Sequence, residues 1–366
     1  MKTNYKSIEE LVVKVDERNV DERVSELLGV SIDKCFIKSV ANTNGTDLSK
    51  YKIIRKNDFA VSLMQVSRDS KIPVARLEEY EEAIMSPAYP IFRVKDEKVI
   101  LPEYLDMWFK RPEFDREATF IAVGGVRGSM PWEEFAKMKL PVPSIEEQQR
   151  IVDDYKIITD RIALKKQIND NLAEYLNCIY IALVQEVQET TTLATICRYV
   201  TEKAMFSDIE SSVYISTENI LPDKQGVSSF GTASPSERVV HFREEDVLVS
   251  NIRPYFKKMW FATTEGGCNA DVLCFRALDK RFSYLLKSIM FQDGFFDYVM
   301  SGAKGTKMPR GDKGHIMQYQ IPCFSDEQLE AFNALASSVE QTQSLNRQEM
   351  SFLEAAKGML LTTLSR

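Results

Sequence analysis

Pro141-Val142-Pro143-Ser144-Ile145-Glu146-Glu147-Gln148 returns, altered, as Ile321-Pro322-Cys323-Phe324-Ser325-Asp326-Glu327-Gln328, and the two closing glutamines stand 180 positions apart. In each copy a serine is followed three residues later by a glutamate or glutamine, Ser144 by Glu147 and Ser325 by Gln328. That is the capping-box arrangement, in which the two side chains each take up an orphan N–H at a helix start. After the first copy, apolar residues fall at Ile151, Tyr155, Ile158, Ile162, Ile168, Leu172, Tyr175, Ile179 and Leu183, with Lys165 filling one seam position. Steps of three, four and seven make this a helical stripe. It runs for about forty residues without glycine or proline, a rod of roughly 60 Å. After the second copy the stripe is Phe332, Leu335, Val339, Thr342, Leu345, Phe352, Ala356, Leu360 and Leu364, interrupted by the polar Asn346-Arg347-Gln348-Glu349.

A narrow stripe on a long helix finds no sufficient partner on a small domain. The two helices, 143–189 and 324–366, are therefore expected to pair as an antiparallel coiled coil. The alternative is that each folds back on its own domain. Ile151, Tyr155, Ile158, Ile162, Leu172, Phe332, Leu335, Val339, Phe352 and Leu360 are the expected packing residues. The stretches before the helices, 1–142 and 190–323, read as two similar α/β domains. The fold class is α+β, with an internal pseudo-two-fold repeat. Arg55-Lys56-Asn57-Asp58-Phe59-Ala60-Val61-Ser62 parallels Arg243-Glu244-Glu245-Asp246-Val247-Leu248-Val249-Ser250, a charged turn running into an apolar strand. Ser86–Arg93 likewise parallels Asn269–Arg276.

The bulk composition fits a soluble globular chain, with 44% hydrophobic and 28% charged residues. Six cysteines form no CxxC pair and only His241 and His315 are available, so buried free thiols are expected rather than a metal site. No signal core or membrane-length apolar run is present, which reads as cytoplasmic. The net charge is −7. It is unevenly placed: 23 Lys+Arg face 24 Asp+Glu in 1–145 and 16 face 15 in 190–324, whereas 146–189 has 5 against 9 and 325–366 has 3 against 6. The acidity sits in the helices. Near-neutral domains can still present a basic face, because local field rather than net charge steers a polyanion.

Each domain carries a glycine-rich loop ahead of its helix. Gly124-Gly125-Val126-Arg127-Gly128-Ser129-Met130-Pro131 is the first, and the second runs from Gly302 to Gly314 with Lys304, Lys307, Arg310 and Lys313. Glycine lets backbone approach closely, and Lys or Arg reaches phosphates or guanine edges. Gly125, Arg127 and Ser129, and Lys304, Thr306, Lys307, Arg310 and Lys313, are candidate DNA contacts. A basic-aromatic cluster, Asn251, Arg253, Tyr255, Lys257 and Lys258, adds strand-end candidates, and Arg68 and Lys71 hold the similar place in the first domain. The bland reading of these segments is chain reversal and a solvated hairpin. No methyl-donor loop, no Asn-Pro-Pro-Tyr tetrad and no GxxxxGK[ST] phosphate loop occurs, so catalytic, cofactor-binding and metal residues are expected to be none.

The ordered set of segments resembles the specificity subunit of type I restriction–modification systems. In the first domain the resemblance is carried by Leu27-Leu28-Gly29-Val30, Val40-Ala41-Asn42-Thr43, Gly45–Arg55, Leu101-Pro102-Glu103-Tyr104-Leu105, Arg111–Ala118, Val126-Arg127-Gly128 and Trp132-Glu133. In the second it is carried by Tyr214–Asn219, Asn251-Ile252-Arg253-Pro254-Tyr255 and Gly305–Lys313, and the helix openings at Glu147-Gln148 and Glu327-Gln328 complete it. The resemblance implies two target-recognition domains reading a bipartite double-stranded DNA target, with the helices setting the unread gap. It implies two methyltransferase subunits using S-adenosylmethionine for adenine methylation, and motor–nuclease subunits using ATP and Mg for cleavage. The chain itself would be non-catalytic. Two other readings stay open: a methylation-only defence complex, and a coiled-coil protein scaffold that binds no DNA.

Overall fold

The computed structural model describes residues 4–39, 46–64, 66–123 and 128–364. It divides into two compact units, Met1–Lys165 with Gln348–Arg366, and Lys166–Arg347. The cut falls inside both long helices, so each unit holds one globular part and a segment of helix pair.

The charged turns found twice in the sequence are the same structure twice. Asn57 and Glu245, each third in its turn, both have φ +67°. The Asp that follows bonds back to the turn's first residue: Asp58 accepts from Arg55 N at 3.0 Å and Asp246 from Arg243 N at 2.7 Å. Each carboxylate then holds an arginine two-pronged, Arg93 on Asp58 (2.9 and 2.9 Å) and Arg276 on Asp246 (2.9 and 2.6 Å). Both aspartates are buried, and a buried charge is tolerable only when paired and hydrogen-bonded in this way.

Strands launched from these turns build matching sheets. In the first unit Val12–Val15, Ile91–Val94, Phe59–Val61 and Val74–Arg76 lie side by side in that order. In the second the order is Cys197–Tyr199, Val272–Ala277, Val247–Ser250 and Met259–Phe261. Each unit has a second sheet with one parallel pair, Leu27–Val30 with Glu82–Met85 and Tyr214–Ile215 with Gly266–Cys268. The repeats part at the edge of that sheet. Phe36–Lys38 extends the first beyond Leu27–Val30, whereas Lys203–Met205 extends the second on its other side, beyond Arg238–Phe242. In the first unit, helices Pro102–Phe109 and Pro112–Ala122 cover the first sheet with an aromatic cluster in which Phe59 stacks on Phe92 at 5.2 Å and Phe109 lies edge-on to both.

The opening motif is the junction between globular part and helix. Tyr5–Ser7 pairs with Lys139–Pro141, and Thr190–Thr192 pairs with Gln320–Pro322. The long helices Ile145–Glu186 and Asp326–Thr363 follow at once. The second has the full capping box: Gln328 N donates to Ser325 Oγ at 3.2 Å and Ser325 N to Gln328 Oε1 at 3.0 Å. The first has half of it. Ser144 Oγ accepts from Glu147 N at 3.3 Å, but the Glu147 carboxylate turns to Arg150, a charge-assisted bond that outbids a backbone N–H. The two repeated glutamines also differ in use. Gln148 is fully buried, accepting from Leu101 N and donating to the carbonyls of Val99 and Pro143, which ties the helix to its domain.

Within each unit the helix segments run antiparallel. In the first, Ile151, Val152 and Tyr155 share the core with Leu360, Leu361 and Leu364, and Arg161 and Lys165 pair with Glu349. In the second, Leu172, Leu176, Ile179 and Tyr180 meet Leu329, Phe332, Leu335, Ala336 and Val339. The polar stretch expected to break the second stripe continues it instead. Asn346 and Gln343 are buried; Asn346 Nδ2 donates to Asn169 Oδ1 at 2.7 Å and Gln343 Nε2 to Asn169 O at 2.8 Å. Phe352 is a correction. Expected to pack, it is 77% exposed, because the three-and-four rhythm carried through Gln343 and Asn346 reaches Met350 and Leu353 rather than Phe352. Tyr175 and Leu345 are exposed for the same reason. The thiols need a second correction. Cys197, Cys268 and Cys274 are buried, but Cys35, Cys178 and Cys323 are exposed.

Candidate nucleic-acid interface

In the second unit the structure brings the basic-aromatic cluster and the basic glycine loop together. Arg253 N donates to Pro309 O at 2.9 Å, and Ile252 forms a β-bridge with Arg310. Lys304 and Arg310 bond to each other through backbone in both directions at 2.9 Å, closing the loop tip. Gly305 at the tip has φ +97°, a conformation side chains rarely adopt. Gly302 is required for a different reason: a Cβ there would lie 2.1 Å from the His315 ring.

The candidates differ in how free they are. Lys304 is paired with Asp312 at 2.6 Å and Arg310 with Asp271 at 3.0 Å. Lys257 is on Asp293 at 3.0 Å, and Lys258 donates to Thr217 O at 2.8 Å. Thr306 and Lys307 are exposed at the tip, and among the described residues no ion pair engages Lys307. Lys313 is exposed, its Nζ 5.6 Å from the Tyr199 ring centroid. Asn251 is half-buried; its N donates to Asp271 O at 2.8 Å. Tyr255 is 47% exposed and packs on Phe256 with ring centroids 4.6 Å apart. The Lys304 ammonium and the His315 N–H lower the Asp312 carboxyl to about 2.

The first unit repeats the juxtaposition. Met130 N donates to Leu63 O at 2.9 Å, and Gly128 (φ +71°) lies against Ser67 and Arg68. Ser129 is half-buried beside them. Arg68 is exposed beside Asp69, and Lys71 lies 3.7 Å from Asp33. Gly125 and Arg127, with the rest of Gly124–Arg127, lie outside the described residues.

One contact escaped the sequence reading. Ser301 Oγ lies 3.2 Å from His315 Nε2, a pairing that resembles a nucleophile and its base. The ring nitrogen also lies 3.1 Å from Tyr298 O. A carbonyl only accepts, so Nε2 carries the proton and cannot take one from Ser301. Ser301 itself donates to Tyr298 O at 2.7 Å, and the His315 ring stacks on Tyr298 at 4.1 Å. The group braces the basic loop. Among the described residues no cluster of three or more metal-ligating side chains occurs, and no helix is long and apolar enough to cross a membrane. Burial pushes the Cys197 and Cys268 thiols up to about 12, away from nucleophilic use.

The profile of the family described as "Type I restriction modification DNA specificity domain" matches residues 40–174. That segment is similar to the type I restriction–modification specificity family. The type I restriction enzyme EcoBI specificity subunit of Escherichia coli is 24% identical over 157 residues, 42% of this chain and 32% of that relative. The match thus spans about a third of the relative's length. The crystal structure of the type I restriction–modification S subunit from M. genitalium superposes with a TM-score of 0.57 at 11% identity, covering 100% of this chain and 97% of that one. At that identity the likeness shows the fold alone.

Proposed function

We propose that the chain is the DNA-reading subunit of a cytoplasmic type I restriction–modification complex, each globular unit reading one half of a bipartite double-stranded target. The observation that carries this is the repeated juxtaposition of strand-end turn and glycine-rich loop, made by backbone bonds in both units. Two such rims on one chain suit two half-sites, since phosphate contacts position and a few side chains read base edges. We assign residues 1–142 and 190–323 as the target-recognition domains and the paired helices as the spacer. The contacts are assigned to Arg68, Lys71, Ser129, Asn251, Arg253, Tyr255, Lys258, Thr306, Lys307 and Lys313, to Lys257, Lys304 and Arg310, which each face a carboxylate, and, from the sequence, to Gly125 and Arg127. Lysine and arginine that already face a carboxylate can exchange it for phosphate when DNA arrives.

Chemistry belongs to the partners: two methyltransferase subunits carrying S-adenosylmethionine, and motor–nuclease subunits using ATP and Mg. Exposed Ile157, Leu164 and Met359 on the helices supply apolar surface for the methyltransferases. The test is a mobility shift with the chain and its methyltransferase partner, on DNA carrying the motif found by methylome sequencing of a host with both genes. Specific retardation, lost when either half-sequence is scrambled, is expected. Retardation indifferent to both halves would sink the reading.

A further inference from the structure

Resting on that DNA-reading proposal, we propose that Met308 and Tyr255 read thymine methyl groups in the major groove of the half-site taken by the second unit. Both are large, mainly apolar and half in water, 49% and 47% exposed, on a rim that also carries the exposed Lys304, Lys307 and Arg310. They are neighbours through the backbone: Met308 precedes Pro309, whose carbonyl takes the Arg253 N–H at 2.9 Å, two residues from Tyr255.

The turn that presents Tyr255 is held rigid. Arg253 and Lys257, which bracket it, both sit at φ +51°, a region that costs non-glycine residues energy and persists only when the surroundings over-determine it. They do so here. Asp223 N donates to Phe256 O and Lys224 N to Lys257 O, each at 2.9 Å, while Lys224 and Lys257 share Asp293 at 2.7 and 3.0 Å. Phe256 backs the Tyr255 ring. The side chain is thus aimed outward before any ligand arrives.

Apolar surface among cations gains nothing from phosphate. What duplex DNA presents to it in the grooves is the thymine C5 methyl, displayed in the major groove, since the faces of the bases are closed by stacking. Lys307, Lys304 and Arg310 on the same rim would bring the loop to the backbone, and the apolar tips then meet the base edges. A protein partner is the other conceivable occupant, and the charge around the patch favours the polyanion.

The test uses the full chain co-purified with its methyltransferase partner, on the motif found by methylome sequencing. Duplexes carry uracil in place of one thymine at a time in both halves, which removes only the methyl group. At least one replacement should weaken binding by about fourfold, the value of one buried methyl. That replacement should cost nothing further in Met308→Ala or in Tyr255→Ala. Both variants should keep the wild-type salt dependence, because no charge is lost. Methyl reading is overturned, with DNA binding left standing, if every uracil duplex binds like its parent, if the penalty persists undiminished in both variants, or if the motif holds no A·T pair. Variants that fold but no longer co-purify with the partner would overturn it in favour of a protein contact. A wild-type complex that retards no DNA would end both proposals.

Discussion

Gly302 and Gly358 sit in opposite circumstances, and the contrast predicts opposite signs. A methyl at Gly302 would enter the His315 ring that braces the basic loop, whereas a methyl at Gly358, inside the second long helix, meets nothing within 4 Å. Gly302→Ala is expected to destabilise by about 1–3 kcal/mol through overpacking, and Gly358→Ala to stabilise by about 0.5–1 kcal/mol through helix propensity. Denaturant melts of the two variants read both signs directly. Asp246 predicts a larger loss. Removing it strands Arg276 and the turn's N–H, and breaking a buried pair from one side costs about 3–5 kcal/mol. Asp312 predicts a pH dependence. Its carboxyl is held near 2 in the folded chain against 3.8 unperturbed. A depressed acid contributes its stabilisation above the unfolded value and loses it as pH falls through the folded one. Protection of the His315 amide against exchange should therefore hold above pH 3.8 and fade toward about 2. Asp312→Asn keeps a capping oxygen without the titration, so its His315 amide should be indifferent over that range.

At the scale of the element, the rhythm of the helices matters more than the apolarity of any one position. Leu329, Phe332, Ala336, Val339, Gln343, Asn346, Met350 and Leu353 step by three and four without a break, and none of them is exposed. Gln148, Ile151, Tyr155, Ile158, Ile162, Lys165, Asn169, Leu172 and Leu176 do the same on the first helix. Apolar residues alone place the seam at Phe352 and Tyr175, whereas the heptad kept through polar residues places it where the structure has it. The polar layer of Asn169, Gln343 and Asn346 is mutually satisfied, which sets its response to mutation. Asn346→Leu alone leaves the Asn169 oxygen buried without its donor and should cost about 1–3 kcal/mol. Leucine at all three positions removes both sides of the Asn169–Asn346 side-chain bond, and the backbone oxygens of residues 169 and 343 keep their helical partners, so the triple variant should be neutral or stabilising. Melting temperatures of the single and triple variants would show the reversal, and a triple variant less stable than the single would refute it.

For the whole molecule, the proposed spacer role makes helix length a property that DNA can report. Seven residues added after Asp160 and seven after Met350 keep the heptad in both helices where they face each other. They lengthen the pair by about 10 Å at 1.5 Å per residue. That corresponds to about three base pairs at 3.4 Å each. The methylated motif of a host carrying this variant should keep both half-sequences and widen its unread centre by that amount. Unchanged spacing with altered half-sequences, read by methylome sequencing, would mean that the helices are not the ruler.

Local and repeating information was legible in the chain itself: the doubled opening motif, the two glycine-free helices, and the turns ending in Asp58 and Asp246. These depend on residues a few positions apart, whose capping and periodicity follow from backbone geometry. Which residues of the loops meet was decided only in three dimensions. Nothing in the order of letters brings Arg253 to Pro309 or sets Lys304 and Arg310 against carboxylates, because such pairings depend on where the sheets deliver their ends. Nor could spacing tell that one repeated glutamine caps its own helix while the other, Gln148, is buried against Leu101 and Val99. The edge strands Phe36–Lys38 and Lys203–Met205 diverge for the same reason. Periodicity specifies what an element is, and the neighbours assembled around it decide what each side chain touches.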